Sequence, residues 1–149
     1  PLAGSILFAG MGSQAKELAE AFRVSRVVPS FVHGDFVFKN MHVDGERIGL
    51  IDFANANPLS HPLNDIYNLH FALANMLVPQ GFKDRLMASL REGWGNVTFP
   101  EIVHRFYYEY HRRRWLMLKL TSRSPRDLIQ GIHGLVSFAK PFTVEAIAL

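Results

Sequence analysis

Asp44-Gly45-Glu46 sits between two short stretches, Asn40-Met41-His42-Val43 and Arg47-Ile48-Gly49-Leu50-Ile51, in which apolar and polar residues alternate. An Asp-Gly pair in that setting signals a hairpin, because the turn wants positive φ and glycine adopts it without a Cβ clash. Two antiparallel strands are predicted, roughly 40–43 and 48–52. From Pro62 onward the period changes. Leu63, Ile66, Leu69, Leu73 and Leu77 recur at three- and four-residue steps, which predicts a helix to about Val78. A second helix is expected over 83–93 with Leu86 and Leu90 inward. Thr98 and Glu101 have capping-box spacing, with Pro100 at an early helical position, and that helix should run to Leu120, burying Ile102, Phe106, Tyr110 and Leu118. Ser124-Pro125-Arg126-Asp127 opens a last helix containing Leu128, Ile132, Leu135 and Val136. Ahead of the hairpin, Ser13 is a candidate N-cap for a helix over 14–22, and Phe31-Val32 is a short extended lead into His33-Gly34-Asp35. The expected fold class is α+β and mainly helical: a small β-hairpin followed by a helical subdomain.

Composition removes several alternatives. At 149 residues the chain is long enough to close one hydrophobic core, and 48% hydrophobic with 19% charged residues is the balance of a globular protein. With no cysteine, disulfide scaffolds, thiolate zinc sites and thiol nucleophiles are excluded. No apolar run is long enough for a membrane span. The N-terminal stretch is apolar but lacks the basic region of a secretory signal, so a cytoplasmic location is expected. The formal charge of +3 and the basic run at 112–114 read as a solvated helix face, and nucleic acid is not an expected partner.

The residues around the hairpin carry the chemistry. Asp35 stands five residues before Asn40, and Asp52 closes the second strand. Because a hairpin folds back on itself, Asn40 at its entry and Asp52 at its exit lie side by side, and Asp35 in the preceding loop can approach the same point. Two carboxylates and an amide oxygen are hard oxygen donors of the kind Mg²⁺ prefers.

The spacing matches a template. Protein kinases use H-R-D-x-x-x-x-N and, after a short hairpin, D-F-G; the first Asp takes the substrate hydroxyl proton, and the Asn and second Asp hold Mg²⁺. Here His33-Gly34-Asp35-Phe36-Val37-Phe38-Lys39-Asn40 and Ile51-Asp52-Phe53 reproduce the steps, with glycine in place of arginine. That form resembles the aminoglycoside phosphotransferase and choline kinase-like family, whose substrates are small hydroxyl compounds. Members commonly continue with Asp-Pro-x-x-Asp-Leu at the start of a helix; this chain has His61-Pro62-Leu63-Asn64-Asp65-Ile66, in which Asp65 matches the helix Asp and His61 replaces the first acid. Val37 stands where members commonly carry a second histidine.

The resemblance implies the C-terminal lobe of a protein kinase-like fold and a set of roles. Asp35 would accept the acceptor proton, with His33 fixing the loop beside it. Asn40 and Asp52 would hold Mg²⁺ against ATP, the co-substrate, with Lys39 near a phosphate. Asp65 would be structural support, a buried carboxylate accepting loop N–H groups. The expected layout is a lead-in helix region over 1–32, the catalytic loop and hairpin over 33–60, and a helical subdomain over 61–149. Only 32 residues precede His33, and their one lysine, Lys16, lies in the expected helix. The ATP-gripping N-terminal lobe is therefore expected to be absent, which makes this strip half of an active site and a fragment of a longer enzyme. The competing expectation is a degenerate lobe used for binding, with the aromatic run 106–110 leading into Arg112–Arg114 and Trp115 as its contact face.

Overall fold

The hairpin forms as its turn residues require. In the computed structural model, which describes residues 15–25, 30–76, 78–94 and 99–137, the elements run α1 (Ala15–Ser25), β1 (Ser30–Val32), a 3-10 turn (Phe38–Asn40), β2 (Met41–Asp44), β3 (Arg47–Leu50), a second 3-10 turn (Phe53–Asn55), β4 (Asn57–Ser60), α2 (Leu63–Ala74), α3 (Gln80–Trp94), α4 (Glu101–Leu120) and α5 (Pro125–Ser137). β2 and β3 pair antiparallel in the register Met41↔Leu50, His42↔Gly49, Val43↔Ile48 and Asp44↔Arg47. Gly45 takes φ +58° at the first turn position while Glu46 stays negative, the pattern of a II′ hairpin. The chain is α+β and mainly helical.

A second two-stranded pair was not foreseen. β1 runs antiparallel to β4, with Ser30↔Ser60 and Val32↔Asn57, and one extra residue on β4 makes a bulge. Pro58 falls inside that bulge, where its missing N–H is tolerated. This pair ties the segment entering His33 to the segment leaving Asp52.

The chain divides into two compact units, Val27–Gly93 and the joined segments Pro1–Arg26 with Trp94–Leu149. In the first, Val32, Leu63, Ile66, Tyr67, Leu69, Phe71 and Leu73 are buried. α2 ends at Ala74, earlier than the periodicity predicts. Asn75 is its C-cap, the Asn75 amide donates to the Phe71 carbonyl at 2.5 Å, and Met76 N–H closes a tighter bond to Leu73. The Lys83 ammonium, one element on, donates to the Ala74 carbonyl at 3.0 Å, a cation placed on a helix C-terminus. Leu77 lies outside the described residues.

In the second unit α4 packs against α1 and α5. Pro100 is the N-cap of α4, and its carbonyl accepts from Val103 and His104. Thr98, like Ser13, lies outside the described residues. The buried stripe of α4 is Val103, His104, His111 and Leu116, while Ile102, Phe106 and Tyr110 are half-buried and Leu118 is exposed. Two histidines hold positions the apolar pattern gave to its neighbours. On α5, Leu128 and Ile132 are exposed, and the side chains of Leu135 and Val136 lie outside the described set. α5 approaches α4 through Gly131 instead: a Cβ there would come within 2.9 Å of Leu120. The joint is fastened by Asp127, which accepts from Lys119 and, at 2.8 Å, from the Ser122 hydroxyl.

Candidate active site

The loop that opens at His33 is held from beneath by α2. Asp65 accepts the His33 N–H on Oδ2 at 2.7 Å and the Gly34 N–H on Oδ1 at 2.8 Å, and the Asn68 amide donates to the Gly34 carbonyl at 3.3 Å. Asp65 and Asn68 are three apart, so both project from one helical face. Burial pushes the Asp65 carboxyl above its usual range, against the two N–H donors that favour its ionised form. Gly34 itself has φ +79°, and a Cβ at this position would stand 2.2 Å from the Asn55 carbonyl oxygen. Only glycine fits.

His33 is almost fully buried and spans the site. Its Nε2 lies 2.9 Å from the Ile51 carbonyl oxygen, and its Nδ1 accepts the Asp35 N–H at a longer 3.4 Å. Those partners set Nε2 as the donor to Ile51 and leave Nδ1 as the acceptor. The ring also meets Phe53 at a centroid distance of 4.7 Å and Phe36 at 6.2 Å. Ile51 is held at both ends, because its N–H donates to the Asn40 carbonyl at 3.0 Å. Asp52 follows directly and is therefore carried by His33 and Asn40 through one residue of backbone. It takes φ 63° and ψ 65°, the one non-glycine positive φ among the described residues, and is exposed.

Asp35, Lys39 and Asn40 come together through the 3-10 turn. The Asn40 side-chain amide donates to the Asp35 carbonyl at 2.8 Å and to Asp35 Oδ2 at 3.0 Å, and the Lys39 ammonium lies 3.1 Å from that same Oδ2. Asn40 is buried, and with its NH₂ group engaged its remaining polar atom is the carbonyl oxygen Oδ1. Among the described residues no group of three or more His, Cys, Asp and Glu forms a metal cage. The Asn40 amide oxygen and the Asp52 carboxylate are oxygen donors of the kind that Mg²⁺ takes, an ion that uses few protein ligands and completes its shell with water and phosphate.

The remaining residues of interest have local roles. His61, where the family pattern expects an acid, is buried, and its Nδ1 accepts the Leu63 N–H at the start of α2. Asn57 accepts the Leu59 N–H at 2.9 Å, and His42 is exposed. On α4, Arg112 and Arg113 both bond Glu109, so the basic run is partly neutralised within its own helix. Asn68 was missed from sequence. Its one signal is the three-residue step from Asp65.

Among the described residues no helix is long and apolar enough to cross a membrane. No curated protein and no solved structure matches the chain. The model of the phosphotransferase enzyme family does match, over residues 9–116, a span that contains the His33–Phe53 strip, Asp65 and Asn68. The chain belongs to the phosphotransferase enzyme family, the group of aminoglycoside phosphotransferase-like proteins.

Proposed function

We propose that the chain is the catalytic lobe of a small-molecule kinase that transfers the γ-phosphoryl group of ATP to a substrate hydroxyl. The observation that carries this reading is the pairing of Asp35 with Asn40 at 3.0 Å beside an Ile51 that Asn40 and His33 both hold. Asp35 accepts the acceptor hydroxyl's proton on its carboxylate and orients the oxygen for attack. Asn40 Oδ1 and the Asp52 carboxylate would hold Mg²⁺. When bound, the metal neutralises charge on the phosphate oxygens. His33 acts as a strut rather than a proton carrier, because its Nε2–H is engaged by the Ile51 carbonyl. Lys39, exposed at the rim, offers its charge to a nucleotide phosphate.

The test is transfer of radiolabelled γ-phosphate from ATP to a panel of small alcohols, run on the chain and on its Asp35→Asn and Asp52→Asn variants. Asp35→Asn should lower turnover about 100-fold or more while leaving Mn²⁺ binding in place. Asp52→Asn should lose both. Transfer that survives Asp35→Asn, or that is unchanged by a chelator, refutes the assignment.

A further inference from the structure

The two donors on Asp35 Oδ2 suggest how a site with neighbouring acidic and amide groups directs its metal. Asp35 and Asn40 are in contact, so a divalent cation approaching Asn40 also meets the Asp35 carboxylate. A carboxylate that ligates a metal loses the basicity needed to take a proton. We infer that Lys39 is a tethered counter-cation that keeps a divalent ion off Asp35 and confines it to Asn40 and Asp52, an inference that rests on the metal assignment above.

The geometry supports this in three ways. Lys39 and Asp35 are four residues apart, and the 3-10 turn Phe38–Asn40 brings the ammonium to 3.1 Å from Oδ2. Asn40 Nδ2 reaches the same atom at 3.0 Å, so the oxygen that faces the metal-binding amide already accepts two N–H donors. The Lys39 side chain is 69% exposed and Asp35 only 18%, so the lysine is a movable charge over a partly enclosed acid. A dication on Oδ2 would have to displace Lys39 or sit within a few ångström of it. Repulsion between a unit charge and a double charge at that distance, screened by water, lowers affinity by about 3- to 10-fold. Lys39 would thus be a positioning residue that acts through Asp35.

The experiment is Mn²⁺ titration of the full chain, without nucleotide, followed by electron paramagnetic resonance and calorimetry. Because Lys39 is exposed, its replacement should not disturb folding, and far-ultraviolet circular dichroism checks that. Lys39→Met should tighten Mn²⁺ binding about 3- to 10-fold. Lys39→Arg, which keeps the charge, should match the unsubstituted protein. Adding Asp35→Asn to Lys39→Met should abolish the gain, and 0.5 M KCl should shrink it. The inference is overturned if Lys39→Met binds Mn²⁺ no more tightly, or if the gain survives Asp35→Asn. Failure of the metal assignment looks different: Asn40→Ala and Asp52→Ala would then leave Mn²⁺ binding unchanged, while the Lys39→Met gain and its loss with Asp35→Asn still report on the lysine. Absence of Mn²⁺ binding in every variant rejects both.

Discussion

The backbone N–H of His33 donates to Asp65 Oδ2 at 2.7 Å across 32 residues of chain, and the next N–H, that of Gly34, takes the other oxygen. One carboxylate on α2 therefore fixes the first two residues of the loop that opens at His33. Replacing it with Ala leaves two N–H groups without their acceptor and should lower stability by about 2–4 kcal/mol. The pH dependence has a definite sign. Burial raises the folded value of Asp65 above 3.8, so folding retains the proton more readily than the unfolded chain does. That contribution is fully present below pH 3.8 and is lost as pH rises through the folded value. Urea unfolding across this window should show the falling slope in the unsubstituted protein and not in Asp65→Asn.

Gly34 and Gly45 both take positive φ, yet they should respond differently to alanine. At Gly45 the new Cβ meets nothing within 4 Å, so only the left-handed backbone is penalised, about 1 kcal/mol. At Gly34 the same φ penalty is joined by a Cβ 2.2 Å from the Asn55 carbonyl, which forces the loop to move. Gly34→Ala should lose about 3 kcal/mol or more and lower phosphotransfer with it. Equal midpoints for the two variants in denaturant would show that the loop yields without cost.

What was legible in the sequence was the local part of this arrangement. The step from Asp35 to Asn40 spans one tight turn, and Asp44-Gly45 dictates a hairpin, so contacts among residues 33–52 follow from short-range rules. The β1–β4 pair was not legible: both strands are very short, one is bulged, and Pro58 and the exposed Leu59 give no alternating pattern. The α4 stripe was misplaced for a related reason. Its inner positions include His104 and His111, which a hydrophobic period does not select. Asn68 depends on how α2 lies under the loop, and spacing within a helix does not by itself indicate what the helix supports.

Those buried histidines should make the second unit acid-sensitive. Burial pushes His111 down to about 3 from an ordinary 6.5, helped by the charge of Arg114, and burial also lowers His104. Folding thus excludes a proton that the unfolded chain accepts. The His111 contribution is intact above pH 6.5 and is lost as pH falls through 6.5 toward the folded value. Between pH 6.5 and 5 the loss approaches about 2 kcal/mol for one such group. His111→Gln should flatten that part of the stability profile, as read from urea midpoints at pH 7 and pH 5. Parallel losses in both proteins would mean that the ring accepts its proton without unfolding.

Asp52 combines a backbone requirement and a ligand requirement, and substitutions can separate them. Its φ of 63° is the left-handed region, where aspartate is tolerated and a β-branched residue is not. Asp52→Gly relieves the backbone but adds freedom to the unfolded chain, so its stability should lie within about 0.5 kcal/mol of the parent. Asp52→Val should lose about 2 kcal/mol, because both Cβ branches crowd the preceding and following peptide groups. Asp52→Asn keeps the conformational tolerance and removes only the charge. If the carboxylate is a metal ligand, all three weaken Mn²⁺ binding by at least about tenfold, whatever their stability. Denaturant unfolding should therefore separate the three proteins, whereas Mn²⁺ titration should show affinity lost in all of them. A single shared order, with affinity following stability, would mean that Asp52 acts only by shaping the turn after Ile51.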